Sequence, residues 1–109
     1  MTTIRSLIER LLAAVPDLRG VYDEHISDND ELLPHVFFGD VTRFAIENAA
    51  APSVASLLAL LDEALADADE EVREVVAASF VENLVGETAA LKLMKPKMGL
   101  NLRRVFAAT

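Results

Sequence analysis

The first apolar positions recur in three- and four-residue steps. Ile4, Leu7, Ile8, Leu11, Leu12 and Val15 form one stripe, the pattern of a helix with a single buried face. Thr3 is placed to cap its start and Pro16 to end it. Asp17 then reads as the cap of a short second helix that buries Leu18, Val21, Tyr22 and Ile26. Residues 27–31 read as a loop or a helix start. Pro34 suits the first turn of a third helix carrying Phe37, Val41, Phe44, Ala45 and Asn48. After a break at Ala51 and Pro52, Ser53 is expected to cap a fourth helix bearing Val54, Leu57, Leu58, Leu61 and Leu65. Asp67 and Glu70 have the spacing of a capping box. They open a helix with Val72, Val75, Val76, Phe80 and Leu84, which Gly86 ends. Thr88 begins a short helix to about Met94, residues 95–99 break it, and residues 100–107 add one or two final turns. No stretch alternates apolar and polar as a strand does.

The fold class is therefore all-α: one domain over residues 1–109, a compact bundle of six to seven short helices. Phe37, Phe44, Leu61, Val76 and Phe80 are expected in its core. The helix at 69–85 carries an anomaly. At 100° per residue, Ser79 and Asn83 fall at the centre of the Val72, Val76 and Phe80 face, while Ala77, Ala78, Val81 and Val85 make the other side apolar too. Polar groups on a buried face are costly unless hydrogen-bonded, so Asn83 is expected to bond a nearby carbonyl and Ser79 to permit a close helix crossing.

Composition narrows the chemistry. The 109 residues contain no Cys and no Trp, so disulfides, thiolate metal sites and cysteine nucleophiles are absent. Net charge is −8, and it is unevenly placed. Residues 1–86 hold seventeen acids and five bases, a net of −12; residues 87–109 hold one acid and five bases, a net of +4. An acidic body thus carries a basic C-terminal segment. The overall sign disfavours nucleic acid and anionic membranes as partners. The start of the chain shows no targeting pattern. The longest uncharged run, fourteen residues between Glu47 and Asp62, contains Pro52 and is too short to span a bilayer. The expected location is cytoplasmic.

Catalytic signatures are lacking. The five serines sit in no Gly-x-Ser-x-Gly elbow, and the four glycines are scattered rather than gathered into a phosphate loop. His25 and His35 lie ten apart among Asp23, Glu24, Asp28, Asp30 and Glu31. A small metal-dependent enzyme could be built from them, but their spacing matches no metal motif and Asp28-Asn29-Asp30 lacks the remainder of an EF-hand loop. The expectation is no catalytic residue, no metal and no cofactor.

Two acidic groups remain. The first contributes Asp28, Asp30 and Glu31 as candidate contacts; the second contributes Asp67, Asp69, Glu70, Glu71 and Glu74. Helix-dipole stabilisation, about 0.3–1 kcal/mol per acid, explains part of the second group. A field of this sign also steers a basic partner.

Two resemblances add to this reading. Leu57-Leu58-Ala59-Leu60-Leu61 followed by Asp67-Ala68-Asp69-Glu70-Glu71-Val72-Arg73 resembles one HEAT-type helical hairpin, at about 53–85. It implies an A helix ending in an acidic turn, with Arg73 bracing that turn through Asp67 or Asp69. Only one copy is present, and a solenoid needs about three. The stretches Glu31-Leu32-Leu33-Pro34-His35-Val36-Phe37-Phe38-Gly39-Asp40 and Glu70-Glu71-Val72-Arg73-Glu74-Val75-Val76, each with the residues that follow, look like a group of small helical bacterial proteins. These are similar to the immunity proteins encoded beside polymorphic or contact-dependent toxins. The resemblance implies cytosolic neutralisation of a cognate toxin domain by tight binding; taken with the acidic charge and the missing catalytic motifs, the leading expectation is a non-enzymatic protein that occludes a basic surface of that toxin. The alternative is a helical adaptor module, and a homodimer is compatible with either.

Overall fold

Seven helices account for the chain in the computed structural model, which describes residues 1–109 throughout. They are α1 (Ile4–Ala14), α2 (Leu18–Asn29), α3 (Pro34–Glu47), α4 (Pro52–Leu65), α5 (Glu70–Val75), α6 (Thr88–Met94) and α7 (Leu100–Ala108). The α5 helix runs on without interruption into a π-helical segment, Val76–Val81, and a 3-10 turn, Glu82–Leu84; a second 3-10 turn, Lys95–Lys97, joins α6 to α7. No helix is long and apolar enough to cross a membrane.

Local chemistry sets most boundaries where the sequence places them, and shifts four. Thr3 caps α1 as expected: its hydroxyl accepts the Ser6 N–H at 3.2 Å, and the Ser6 hydroxyl accepts the Thr3 N–H at 3.0 Å. Asp17 does not cap α2. Its backbone is already helical and its side chain makes no cap bond, because the turn through Pro16 supplies the first bond, Leu18 N–H to Val15 C=O. Ser53 does not cap α4 either; Pro52 occupies the first helical position, and extended Ala51 is the boundary. The capping box expected at Asp67 moves to a single cap at Asp69, whose carboxylate accepts the Val72 N–H at 2.8 Å. The cause is a parallel bridge of Thr2 with Ala68, in which Thr2 N–H donates to Asp67 C=O and Asp69 N–H to Thr2 C=O. It holds 67–69 extended. Residues 27–29 are helix, and Asp30 closes α2 in the left-handed region at φ 62°.

Twenty-eight buried apolar residues form one cluster. Phe37, Leu61, Val76 and Phe80 are in it, with no exposed surface. Phe44 is only half-buried, a departure from expectation; it sits at the edge of α3, where a surface groove opens. Around the core, α1 packs on α4, α2 on α3, and α7 on both α4 and the π segment. The two helices of the HEAT-like stretch, joined through 66–69, therefore share α7 as a common neighbour.

The π segment resolves the anomaly on the central helix. On a regular wheel Val81 lies nine residues, or half a turn, from Val72. A π turn closes i→i+5 bonds and advances each residue by less angle; Glu82 N–H donates to Ala77 C=O in this register. The tail of the helix is thereby rotated back, so Val76, Phe80 and Val81 are all fully buried while Ala78 and Val85 stay exposed. Widening the turn disturbs the carbonyl ladder, and α3 repairs it. The Thr42 hydroxyl lies 2.8 Å from Phe38 C=O and 3.1 Å from Ser79 C=O, sharing its one proton between them. The Asn83 amide also donates to Ser79 C=O at 2.8 Å.

Two expectations follow. Phe80→Ala should cost about 3–5 kcal/mol in chemical denaturation, and Phe44→Ala, half-exposed, clearly less; equal costs would refute this placement of the core edge. Thr42→Val keeps the shape but removes the donor, and should cost about 1–3 kcal/mol. A Thr42→Val protein as stable as the parent would mean that the hydroxyl does not hold the π turn to α3.

Candidate functional site

The face of α2 that carries Val21, Glu24 and Asp28 is set by three- and four-residue spacing, as is the face of α3 that carries Asp40, Arg43, Phe44 and Glu47. Packing α2 on α3 brings these two faces together as the walls of a groove of about 270 Å³. Four carboxylates, from Glu24, Asp28, Asp40 and Glu47, surround one guanidinium there. Arg43 Nη1 lies 3.3 Å from Asp40 Oδ1, the Arg43 side chain 70% exposed and the Asp40 side chain 27%. Val21 and Phe44 supply the apolar part of the lining.

Beneath the groove, His25 is 2% exposed. Its Nε2 accepts the Leu33 N–H at 3.0 Å, and its Nδ1 lies 3.2 Å from the Asn29 amide nitrogen and 3.8 Å from Asp40 Oδ2. The Asn29 amide donates to His25 C=O at 2.9 Å, and the Phe37 ring packs 5.7 Å away. These contacts fix the turn that orients Asp28 and the start of α3. The histidines do not converge. His35 turns to the central helix, with Nδ1 2.6 Å from Ser79 Oγ, and no three His, Asp or Glu side chains are grouped as metal ligands. The His35–Ser79 contact has the spacing of a base and a nucleophile, but no carboxylate pairs with His35 and Ser79 is 7% exposed.

The acids singled out from sequence fall into different situations. Asp28 enters the groove. Asp30 supplies the left-handed end of α2, its N–H bonded to Ile26 C=O, and Glu31 is exposed beside it. Asp67 pairs with the Met1 amine at 3.3 Å and Asp69 caps α5, so both have structural partners. Glu70, Glu71 and Glu74 are exposed and unpaired. Arg73 does not brace the acidic turn; it lies toward Asn101 and Arg104 of α7. Sequence reasoning missed Asp40 and Glu47, because they stand apart from the acidic runs. The signal was present in the matched spacings Glu24/Asp28 on α2 and Arg43/Glu47 on α3.

Asp62, on α4, belongs to the core architecture. Its Oδ1 accepts the Leu102 N–H at 3.0 Å and its carbonyl accepts the Asn101 amide at 3.2 Å, so α4 caps α7 from across the bundle. Gly99 allows it: a Cβ there would run into the Asp62 carboxylate. Asp62→Ala should therefore cost about 0.5–2 kcal/mol and raise amide exchange through 100–108 more than elsewhere. Uniform exchange in that variant would refute the cap.

The family described as Domain of unknown function (DUF7674) matches residues 8–108, and the chain belongs to it. The match extends from α1 to the end of α7, taking in both the acidic body and the basic segment. No curated protein and no solved structure matches the chain.

Proposed function

We propose that this member of the family is a non-enzymatic binding protein whose α2–α3 face engages a basic surface of a partner protein, as an immunity protein engages its cognate toxin in the cytoplasm. The groove of four carboxylates around Arg43 is the observation that carries the reading. Grooves lined by one sign of charge between low-dielectric walls focus the field and raise association rates. A Lys or Arg of the partner can enter between Glu24 and Asp28 while its stem covers Val21 and Phe44. The groove takes precedence over the 67–74 run, since Asp67 and Asp69 are engaged in pairing and capping. Glu70, Glu71 and Glu74 then act at longer range. Rate and residence separate: exposed carboxylates steer the encounter, and the apolar lining limits dissociation.

The test is stopped-flow association with the protein encoded by the adjacent reading frame, at low and high salt. Glu24→Lys with Asp28→Lys should slow association by about tenfold or more and flatten its salt dependence. Glu70→Lys with Glu71→Lys should have a smaller effect. If association is insensitive to salt and both pairs bind like the parent, the acidic surface does not mediate binding.

A further inference from the structure

The basic segment is folded into the bundle, yet its charge is not neutralised there. None of Lys92, Lys95, Lys97, Arg103 and Arg104 forms an ion pair with a carboxylate. Their partners are of another kind. Lys97 Nζ donates to Ala49 C=O at 3.3 Å. Arg103 donates through Nε to Met98 C=O at 2.9 Å and through Nη2 to Lys95 C=O at 3.1 Å. Lys95 Nζ stands 4.9 Å above the Phe106 ring. These contacts hold Lys95, Lys97 and Arg103 in place and leave their positive charge available.

Lys95 and Arg103 rim a groove of about 580 Å³ whose remaining lining is Pro96, Met98, Phe106 and Ala107. Arg103 is fixed by two carbonyls, so its Nη1 edge is presented without further loss of side-chain freedom. Apolar surface is exposed in the same third of the chain. Of the five large apolar side chains left exposed, Val85, Leu93 and Leu100 lie here, at 55%, 48% and 62%. Within the groove itself two cations stand beside the apolar lining of Met98, Phe106 and Ala107, on a molecule of net charge −8.

We propose that this α6–α7 groove docks a segment of a partner protein in which a carboxylate adjoins a large apolar side chain. The carboxylate meets Lys95 and the free edge of Arg103, and the apolar group fills the space beside Phe106 and Met98. Charge complementarity identifies the occupant. A nucleic acid or an anionic bilayer would also meet Lys95 and Arg103, but it would extend past them over a body of net charge −12; a short segment meets only the groove. The site is opposite in sign to the α2–α3 face and does not depend on it.

The probe is a fluorescein-labelled peptide of repeated Asp-Leu-Phe units, read by anisotropy against the full chain. Peptides of Lys-Leu-Phe and of Asp-Ser-Gly serve as controls. The Asp-Leu-Phe peptide should bind saturably and at least about tenfold tighter than either control. It should shift the backbone amide resonances of 95–107. Lys95→Glu and Ala107→Glu, both at exposed positions, should each weaken it by about tenfold or more with circular dichroism unchanged. Glu24→Lys with Asp28→Lys should leave it intact, which separates this site from the acidic one. Failure of the peptide to bind, equal binding of the Lys-Leu-Phe control, or undiminished binding to both Glu variants would overturn the proposal. So would retention of the chain by phosphatidylglycerol vesicles, lost on Lys95→Glu, when the peptide does not bind.

Discussion

The carbonyl of Ser79 is the point on which the architecture depends. A π turn in the middle of a bundle widens the helix, and a buried carbonyl left without a partner there is costly. Here Thr42 from α3 and Asn83 from the helix's own next turn both reach it. With the turn stabilised, the helix buries two faces in succession, first Val72 and Val76, then Phe80 and Val81. That rotation is what lets one short helix pack against α3 and α7. α3 is consequently held at a fixed angle, and α2, anchored to it by His25 and Phe37, takes a fixed position as well. The acidic groove lies between these two elements.

The same constraint explains the distribution of charge. Helices buried on more than one side leave few positions for polar residues, so the acids collect at helix ends and on the outer faces of α2 and α3. Some are taken up by the fold: Asp62 caps α7, Asp69 caps α5, and Glu63 pairs with Arg10 at 2.7 Å. Those on the outer face of α2 and at the start of α5 have no such use. Counting acids along the chain therefore overstates the second group and understates the first, where α3 adds two carboxylates from outside the acidic run.

Much of the fold was legible because apolar spacing reports the buried side of a helix directly. The helices of residues 4–84 follow from it, while cap and breaker residues mark the Thr3 start, the Gly86 stop at φ 91° and the 88–94 helix. What escaped was information held by distant partners. The Thr2 bridge moved the cap from Asp67 to Asp69, and the Pro52 ring displaced Ser53 from the cap of α4. The π turn was visible only as its symptom, polar residues on an apolar face, because a constant 100° wheel has no place for a change of pitch. The site was legible in part for the same reason. Glu24 and Asp28 announce a face of α2, but only the packing of α2 on α3 pairs it with Asp40 and Glu47.

A molecule with an acidic groove on one pair of helices and a basic, partly apolar groove on another is not described by its net charge. At physiological ionic strength the screening length is about 8 Å. Each groove is then sensed by an approaching protein largely through its own side chains, the rest of the surface acting as a weak negative background. That background penalises an extended anion, which must lie over many carboxylates, far more than a compact acidic segment that ends at the groove. It favours extended cationic surfaces for the opposite reason. On the proposed reading, the two grooves would select partners by size as well as by sign: a broad basic surface for the α2–α3 face and a short acidic segment for the α6–α7 end. Since α7 is capped by Asp62 and packed on α4 and the π segment, one core holds both grooves in place.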